Sequence, residues 1–256
     1  MVAISSPIQQ FFKERGISEV EAVVPDMAGV ARGKIMPAEK FAEEEGMRLP
    51  ESIFLQTVTG EWPEDERAIS PSEIDIVMRA DPASVRIVPW AAEPTAQVIH
   101  DGFYADGRPV TMAPRQVLRH VLSMYAQHGW EPVVAPELEF FLVEPNIDAD
   151  YPLKPPVGRS GRPEIGRQSY SIAAVNEFDP LFDDIYAFCE AQDIEIETLI
   201  HEDGAAQMEI NLLHGNALSL ADQVFIFKRT AREAALRLKM YATFMAKPME
   251  REPGSA

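Results

Sequence analysis

Apolar and polar residues alternate in short runs over the first hundred positions, then follow longer helical periods with strand-like runs between them. On a strand, positions i and i+2 share a face, so strict alternation marks a half-buried strand. "MVAISSPIQQFFKERG" predicts a short amphipathic helix. "EVEAVVPDMAGVARGKIMP" predicts a hairpin: a strand near Glu19–Pro25, a turn at Asp26–Gly29 and a strand near Val30–Ile35. "ESIFLQTV", "EIDIVMRA", "SVRIVPW" and "TAQVIHD" read as further strands separated by turn residues. "DGFYADGRPVTMAPR" reads as a boundary loop. "PRQVLRHVLSMYAQHGW" has helical periodicity, with a proline at its start and Gly129 at its end.

The strand "VVAPELEFFLVEP" follows, then "EPNIDADYPLKPPVGRSGRPEIGRQ", which is rich in Pro and Gly. That stretch is too long for an ordinary connection and reads as a flap or a disordered loop. A helix near Ala174–Gln192 leads into the strand-like "DIEIETLIHEDGAAQMEINLL", and a long helix is predicted near Leu218–Tyr241. Runs of strands with segregated helices give an α+β class. The boundary loop divides the chain into residues 1–107 and 108–256.

Composition narrows the function. The 256 residues are 46% hydrophobic and 25% charged, ordinary for a globular protein. No run reaches the length of a membrane span, and the N-terminus lacks the basic start and apolar core of a signal peptide. Cys189 is the single cysteine, which excludes an intrachain disulfide framework and fits a reducing cytoplasm. It lies in an apolar-periodic stretch and reads as a small core residue. The net charge of −18 disfavours nucleic acid and anionic membrane as partners.

Two segments carry candidate chemistry. Glu137 and Glu139 sit two apart on an apolar strand, so both carboxylates point to one face, which Phe141 and Val143 continue as apolar. Unpaired carboxylates are costly to bury, and something positive is expected there. In "IHEDGAAQMEINLL", Gln207, Glu209 and Asn211 form a polar face, with Glu202 before it across a turn at "DGAA". If the two strands share a sheet, four carboxylates line one cavity, a donor set suited to Mg²⁺ or Mn²⁺. Two separate solvated strand faces are an equal reading from spacing alone. A carboxylate pair for glycoside hydrolysis is a weaker one.

Several segments resemble the glutamine synthetase family in order and spacing. "PELEFFLVEP" resembles its Glu-x-Glu strand and "HEDGAAQMEINL" its second metal segment. "KMYATFMAKPMEREPGSA" resembles the stretch leading to its active-site His motif. "VVPDMAGVARGKIMP" and "IVPWAAEPTAQVIHDGFYADGRPVTMAPRQVL" resemble its N-terminal β-grasp domain and the join to the catalytic domain, which has a curved antiparallel sheet with helices. The γ-glutamylpolyamine synthetase-like branch is the nearest in appearance.

The resemblance implies an ATP-dependent ligase. ATP phosphorylates the γ-carboxylate of glutamate, and an amine, ammonia or something larger, displaces phosphate. By motif, Glu139, Glu202 and Glu209 would hold one divalent cation, Mg²⁺ or Mn²⁺, and Glu137 would serve a second. Glu197 matches a nucleotide-contacting position, and Gly254 falls on the backbone beside bound glutamate. His201, adjacent to a ligand on a strand, faces the other way and reads as packing. Family members form homo-oligomeric rings in which one subunit's N-terminal domain completes the next subunit's site.

Two departures qualify the match. The sequence stops at "EPGSA", after which the family continues into Met-His-x-His, so the resemblance covers roughly the first half of a member. This stretch alone is not expected to complete the reaction. The family also carries an Asp in an N-terminal loop that helps deprotonate ammonium in the neighbouring subunit. Ungapped alignment of "SIFLQTVTG" places Thr57 there, with Asp65 nearby as the alternative. Thr57 at that position favours an amine larger than ammonia. The competing function is a catalytically silent relative acting as a sensor or structural assembly protein.

Overall fold

A computed structural model describes residues 6–44, 46–62 and 74–255. The chain is α+β and divides into two compact units, Met1–Pro132 and Val133–Ala256. No described helix is long and apolar enough to cross a membrane.

In the first unit, helix α1 (Pro7–Arg15) precedes β1 (Glu19–Pro25) and β2 (Ala31–Pro37). Asp26 turns this hairpin. Its buried carboxylate accepts from the Ala28 and Val30 amides at 2.9 and 2.8 Å and pairs with Arg32 Nε at 2.8 Å. Helix α2 (Ala38–Glu44) and strands β3 (Gly46–Pro50), β4 (Asp75–Ala80), β5 (Arg86–Ile87) and β6 (Thr95–Phe103) follow. The sheet order is β2–β1–β6–β4–β3, with β5 also on β6. β1 and β6 run parallel, from Glu19 opposite Thr95 to Val23 opposite Ile99. Alternation in β1 sends Val20, Ala22 and Val24 into a core shared with Ile8, Phe12, Phe41, Ile76 and Met78.

"ESIFLQTV" is not a strand. Glu51–Leu55 forms a 3₁₀ turn, and burial of Phe54 in the core decides its conformation over β-propensity. β3, just before it, takes the sheet position instead by pairing with β4. "SVRIVPW" contracts to the two-residue β5, since Pro89 cannot donate to a ladder.

Helix α3 (Pro114–Gln127) belongs to this unit through its first turns. Arg115 donates to Asp101 Oδ2 at 2.7 Å, and Arg119 Nη2 donates to Asp81 Oδ2 at 2.8 Å. Arg115 also pairs with Asp81, and Arg119 with Asp101. The compact-unit division therefore falls after α3, whereas the expected boundary at 107/108 falls before it.

The second unit is built on an antiparallel sheet whose strands lie side by side in the order Tyr241–Thr243, Glu137–Val143, Gln207–Leu212 and Ile196–His201. Its strands are β8 (Glu137–Val143), β9 (Ile196–His201), β10 (Gln207–Leu212) and β12 (Tyr241–Thr243). A two-stranded ribbon joins β7 (Val133–Val134) to β11 (Gly215–Asn216). Helix α6 (Ala217–Arg237) covers one sheet face, with Phe227 edge-on to Phe140 at 6.4 Å between ring centres. It ends earlier than the periodicity predicts: Lys239 turns in a left-handed conformation, and Tyr241 enters β12 beside Val143.

The helix expected over Ala174–Gln192 is broken into α4 (Ile172–Val175), a 3₁₀ turn at Asn176–Phe178 and α5 (Asp179–Ala191). Pro180 in the first turn of α5 restarts the helix, where its missing N–H costs nothing. Cys189 is buried in α5, and burial pushes its thiol up to about 12.

The Pro/Gly-rich stretch is a folded strap. Glu144 N donates to Lys154 O at 2.9 Å, Gly158 N to Arg162 O at 3.1 Å and Tyr170 N to His201 O at 2.9 Å. Backbone bonds within the stretch, with Arg159 N donating outward to Glu177 O at 2.9 Å, replace the secondary structure it lacks, which composition alone does not disclose.

Candidate active site

The antiparallel register of β8 and β10 sets Glu209 opposite Glu139 and Asn211 opposite Glu137. On the other side of β10, Glu209 faces Ile200 and Asn211 faces Thr198. The ladder continues past β9, where Glu202 N donates to Gln207 O at 2.8 Å. Glu202, Gln207, Glu209, Glu137 and Glu139 therefore share one face of the sheet, opposite the Phe140 face that α6 covers. The reading in which the pairs occupy separate faces does not survive this register.

Three carboxylates interact directly. Glu202 is pushed up to about 7, first by burial, then by hydrogen bonding and charge from Glu209 and by the charge of Glu139. Like charges this close cannot all ionise freely, so one keeps a proton near neutral pH. Glu209 is buried. Glu137 lies two residues back along β8, opposite Asn211 on the same face, exposed. Among the described residues, no three His, Cys, Asp or Glu side chains already stand in a metal-holding cluster. The donor set itself fits Mg²⁺ or Mn²⁺: acceptor-only carboxylate oxygens on one strand-built face.

Glu197 is exposed and sits at a register irregularity in β9, where Asn211 pairs with Thr198 but Leu212 with Ile196. The irregularity frees Glu197 from the buried face that alternation from His201 would give it. His201 is fully buried on that face, beside Met208, and its Nδ1 lies 2.7 Å from Glu202 O.

Gly254 is drawn to the same place through a residue the sequence reading left without a role. Gln207 Nε2 donates to Glu139 Oε2 at 2.9 Å and lies 3.1 Å from Gly254 O and 3.2 Å from Ser255 Oγ. The segment is fastened a second time by Glu252, whose Oε2 accepts from Ala205 N at 3.0 Å and pairs with Arg167 at 3.2 Å. Gln207 was findable, because it alternates onto the face of Glu209. Arg167 and Glu252 lie 85 residues apart and carry no sequence signal.

In the first unit, Thr57 spends its hydroxyl on its own loop. Oγ1 accepts from Glu61 N at 3.0 Å, and the Thr57 carbonyl accepts from Arg32 Nη2 at 3.3 Å. Asp65 lies outside the described residues.

Residues 111–256 match the family described as glutamine synthetase, catalytic domain. The chain belongs to the glutamine synthetase family. It is 34% identical over 242 residues to gamma-glutamylputrescine synthetase of Escherichia coli (strain K12), covering 92% of this chain and 51% of that protein. It is 32% identical to gamma-glutamylethanolamide synthetase of Streptomyces coelicolor, covering 93% and 52% of the two chains. The solved structure titled "GmaS/ADP complex-Conformation 1" superposes with a TM-score of 0.80 at 25% identity, over 98% of this chain and 54% of that one. The chain thus spans about half the length of the curated relatives it matches.

Proposed function

We propose that the whole protein is an ATP-dependent ligase that joins the γ-carboxylate of glutamate to an amine through γ-glutamyl phosphate. The observation that carries this is the meeting of Glu139, Glu202 and Glu209 on one sheet face, in a chain of this family. Similarity to ligases named for glutamylated putrescine, ethanolamide and isopropylamine supports an organic amine as acceptor. If Thr57, rather than Asp65, stands where the family has the aspartate that helps deprotonate ammonium, it favours the same choice.

Glu139, Glu202 and Glu209 would hold one Mg²⁺ or Mn²⁺, and Glu137 would serve a second. Bound there, the cations offset the charge of the triphosphate and of the substrate carboxylate. The protein's own carboxylates supply the negative face that recruits them. Glu202 must give up its proton for that, so cation affinity rises with pH until Glu202 is ionised. Glu197 would contact ATP, and the Gly254 backbone would lie beside glutamate.

The catalytic domain would begin near residue 108, with α3 as its first element, and the family match beginning at residue 111 supports that division. The protein would work in the cytoplasm as a homo-oligomeric ring, with the Thr57 loop near a neighbouring subunit's site. ADP release by the whole protein, given glutamate, Mg²⁺ and a panel of amines including ammonia, tests the reading. The ligase sustains ADP release over many turnovers only when glutamate and its amine are both present. A folded, cation-binding protein that releases none with any amine is instead the silent relative.

A further inference from the structure

Gln207 is 1% exposed and stands at the junction of three chain segments. Its Oε1 accepts from Gly204 N at 2.8 Å, in the turn between β9 and β10. Its Nε2 faces Glu139 Oε2 on β8 at 2.9 Å, and Gly254 O and Ser255 Oγ at 3.1 and 3.2 Å. The orientation of the amide is fixed by these partners. Flipped, its oxygen would confront a carboxylate and a carbonyl, both acceptors, while its nitrogen met a backbone N–H.

The side chain also has nowhere else to go. A Cβ on Gly204 would stand 2.7 Å from Gln207 Oε1 and 2.6 Å from Phe141 Cε1, so the absence of a side chain there gives the amide its room. The 246–255 segment meets the sheet through this amide and through the Glu252 bond to Ala205 N. It also closes on itself, Ser255 N donating to Ala246 O at 2.8 Å.

We infer that Gln207 is a positioning residue that couples the cation-facing carboxylate of Glu139 to the Gly254 carbonyl and the Ser255 hydroxyl. This rests on the proposed cation site. Gln207 occupies one oxygen of Glu139 with a neutral donor and leaves the other to face a cation. Because the same nitrogen has only two hydrogens for three acceptors, the hold on Glu139 and the hold on Gly254–Ser255 are not independent. The amide is already oriented by Gly204, so a Glu139 carboxylate held still by a cation would let it bond Glu139 and the 254–255 acceptors at once, steadying the 246–255 segment. Cation binding thereby prepares the segment proposed to lie beside glutamate.

The test uses Mn²⁺ as the probe with the whole protein, and reads two quantities in the absence of turnover: the Mn²⁺ dissociation constant and amide hydrogen exchange over 246–255. In wild type, Mn²⁺ slows exchange in that segment. Gln207→Met, similar in length but without a donor, binds Mn²⁺ roughly 10-fold more weakly, as loss of a ligand-orienting partner does. At saturating Mn²⁺ it does not recover the slowed exchange. A merely structural glutamine would lower the unfolding midpoint and leave both readouts intact, and that result overturns the inference.

Glu139→Gln separates the two levels. If it loses Mn²⁺ binding while Gln207→Met matches wild type, the cation site stands and the coupling falls. If wild type binds no Mn²⁺, both fall together. Should Gln207→Met fail to fold, wild type alone decides: exchange over 246–255 that does not change with Mn²⁺ refutes the coupling.

Discussion

Glu139 sits opposite Glu209 and within the field of Glu202, so its charge is the part of the site that a single substitution removes most cleanly. Glu139→Gln keeps the shape and offers a hard cation a weaker ligand. Cation affinity or activity should fall on the order of 10–100-fold, with high Mg²⁺ recovering the part of the loss that is binding. Glu144→Gln, just beyond the far end of β8, should match wild type in the same titration. Glu202 gives a pH signature. Its folded value of about 7 exceeds the ordinary 4.5, so the folded state keeps a proton that the unfolded chain releases. Its contribution to stability is present below the ordinary value and is lost as pH rises toward the folded one. Thermal unfolding of cation-free protein should therefore shift to lower temperature from about pH 5 to about pH 8, and Mg²⁺ should restore more stability at the upper end. Equal Mg²⁺ stabilisation at both ends would remove Glu202 from the site.

At the level of elements, the turn between β9 and β10 is the tightest joint beside the carboxylates. Gly204→Ala places a methyl group 2.6 Å from Phe141 and should cost about 1–3 kcal/mol by overpacking, read from denaturant unfolding. In the first unit, Arg115→Met removes one of the two arginines that pair with buried Asp101 among the described residues and should cost about 3 kcal/mol, the low end for breaking a buried pair. Burial alone would raise Asp81, but hydrogen bonds from Arg115 and the Ala83 amide and the two arginine charges hold it below the usual carboxylate range. That stabilisation is present above the ordinary value and is lost as pH falls through the lowered one, so acid should narrow the gap between wild type and variant. These joints also mark what was legible in the sequence. Alternation placed β1, β6, β8 and β10, and the shared face of Glu137 and Glu139, because period two is local information. It misread "ESIFLQTV", where tertiary burial of Phe54 overrides β-propensity, and it joined two helices that Pro180 separates. The strap's turns follow no helix or strand period, and the Arg167–Glu252 pair joins residues far apart in the chain, which no local period encodes.

For the whole molecule, fold and family agree. Both units are mixed helix and sheet, and the chain belongs to the glutamine synthetase family while spanning about half the length of its curated relatives. The proposed ring predicts a large homo-oligomer for the whole protein by light scattering. A monomer that keeps full activity would refute it. The central claim is that the γ-carboxylate of glutamate is phosphorylated and an amine then displaces phosphate. Glutamate carrying ¹⁸O in its γ-carboxylate, incubated with the whole protein, ATP, Mg²⁺ and an accepted amine, follows that oxygen. Its γ-oxygen bonds to the transferred phosphorus and departs with phosphate when the C–N bond forms. We predict one ¹⁸O in each phosphate released, and phosphate free of ¹⁸O during amide formation would contradict the account.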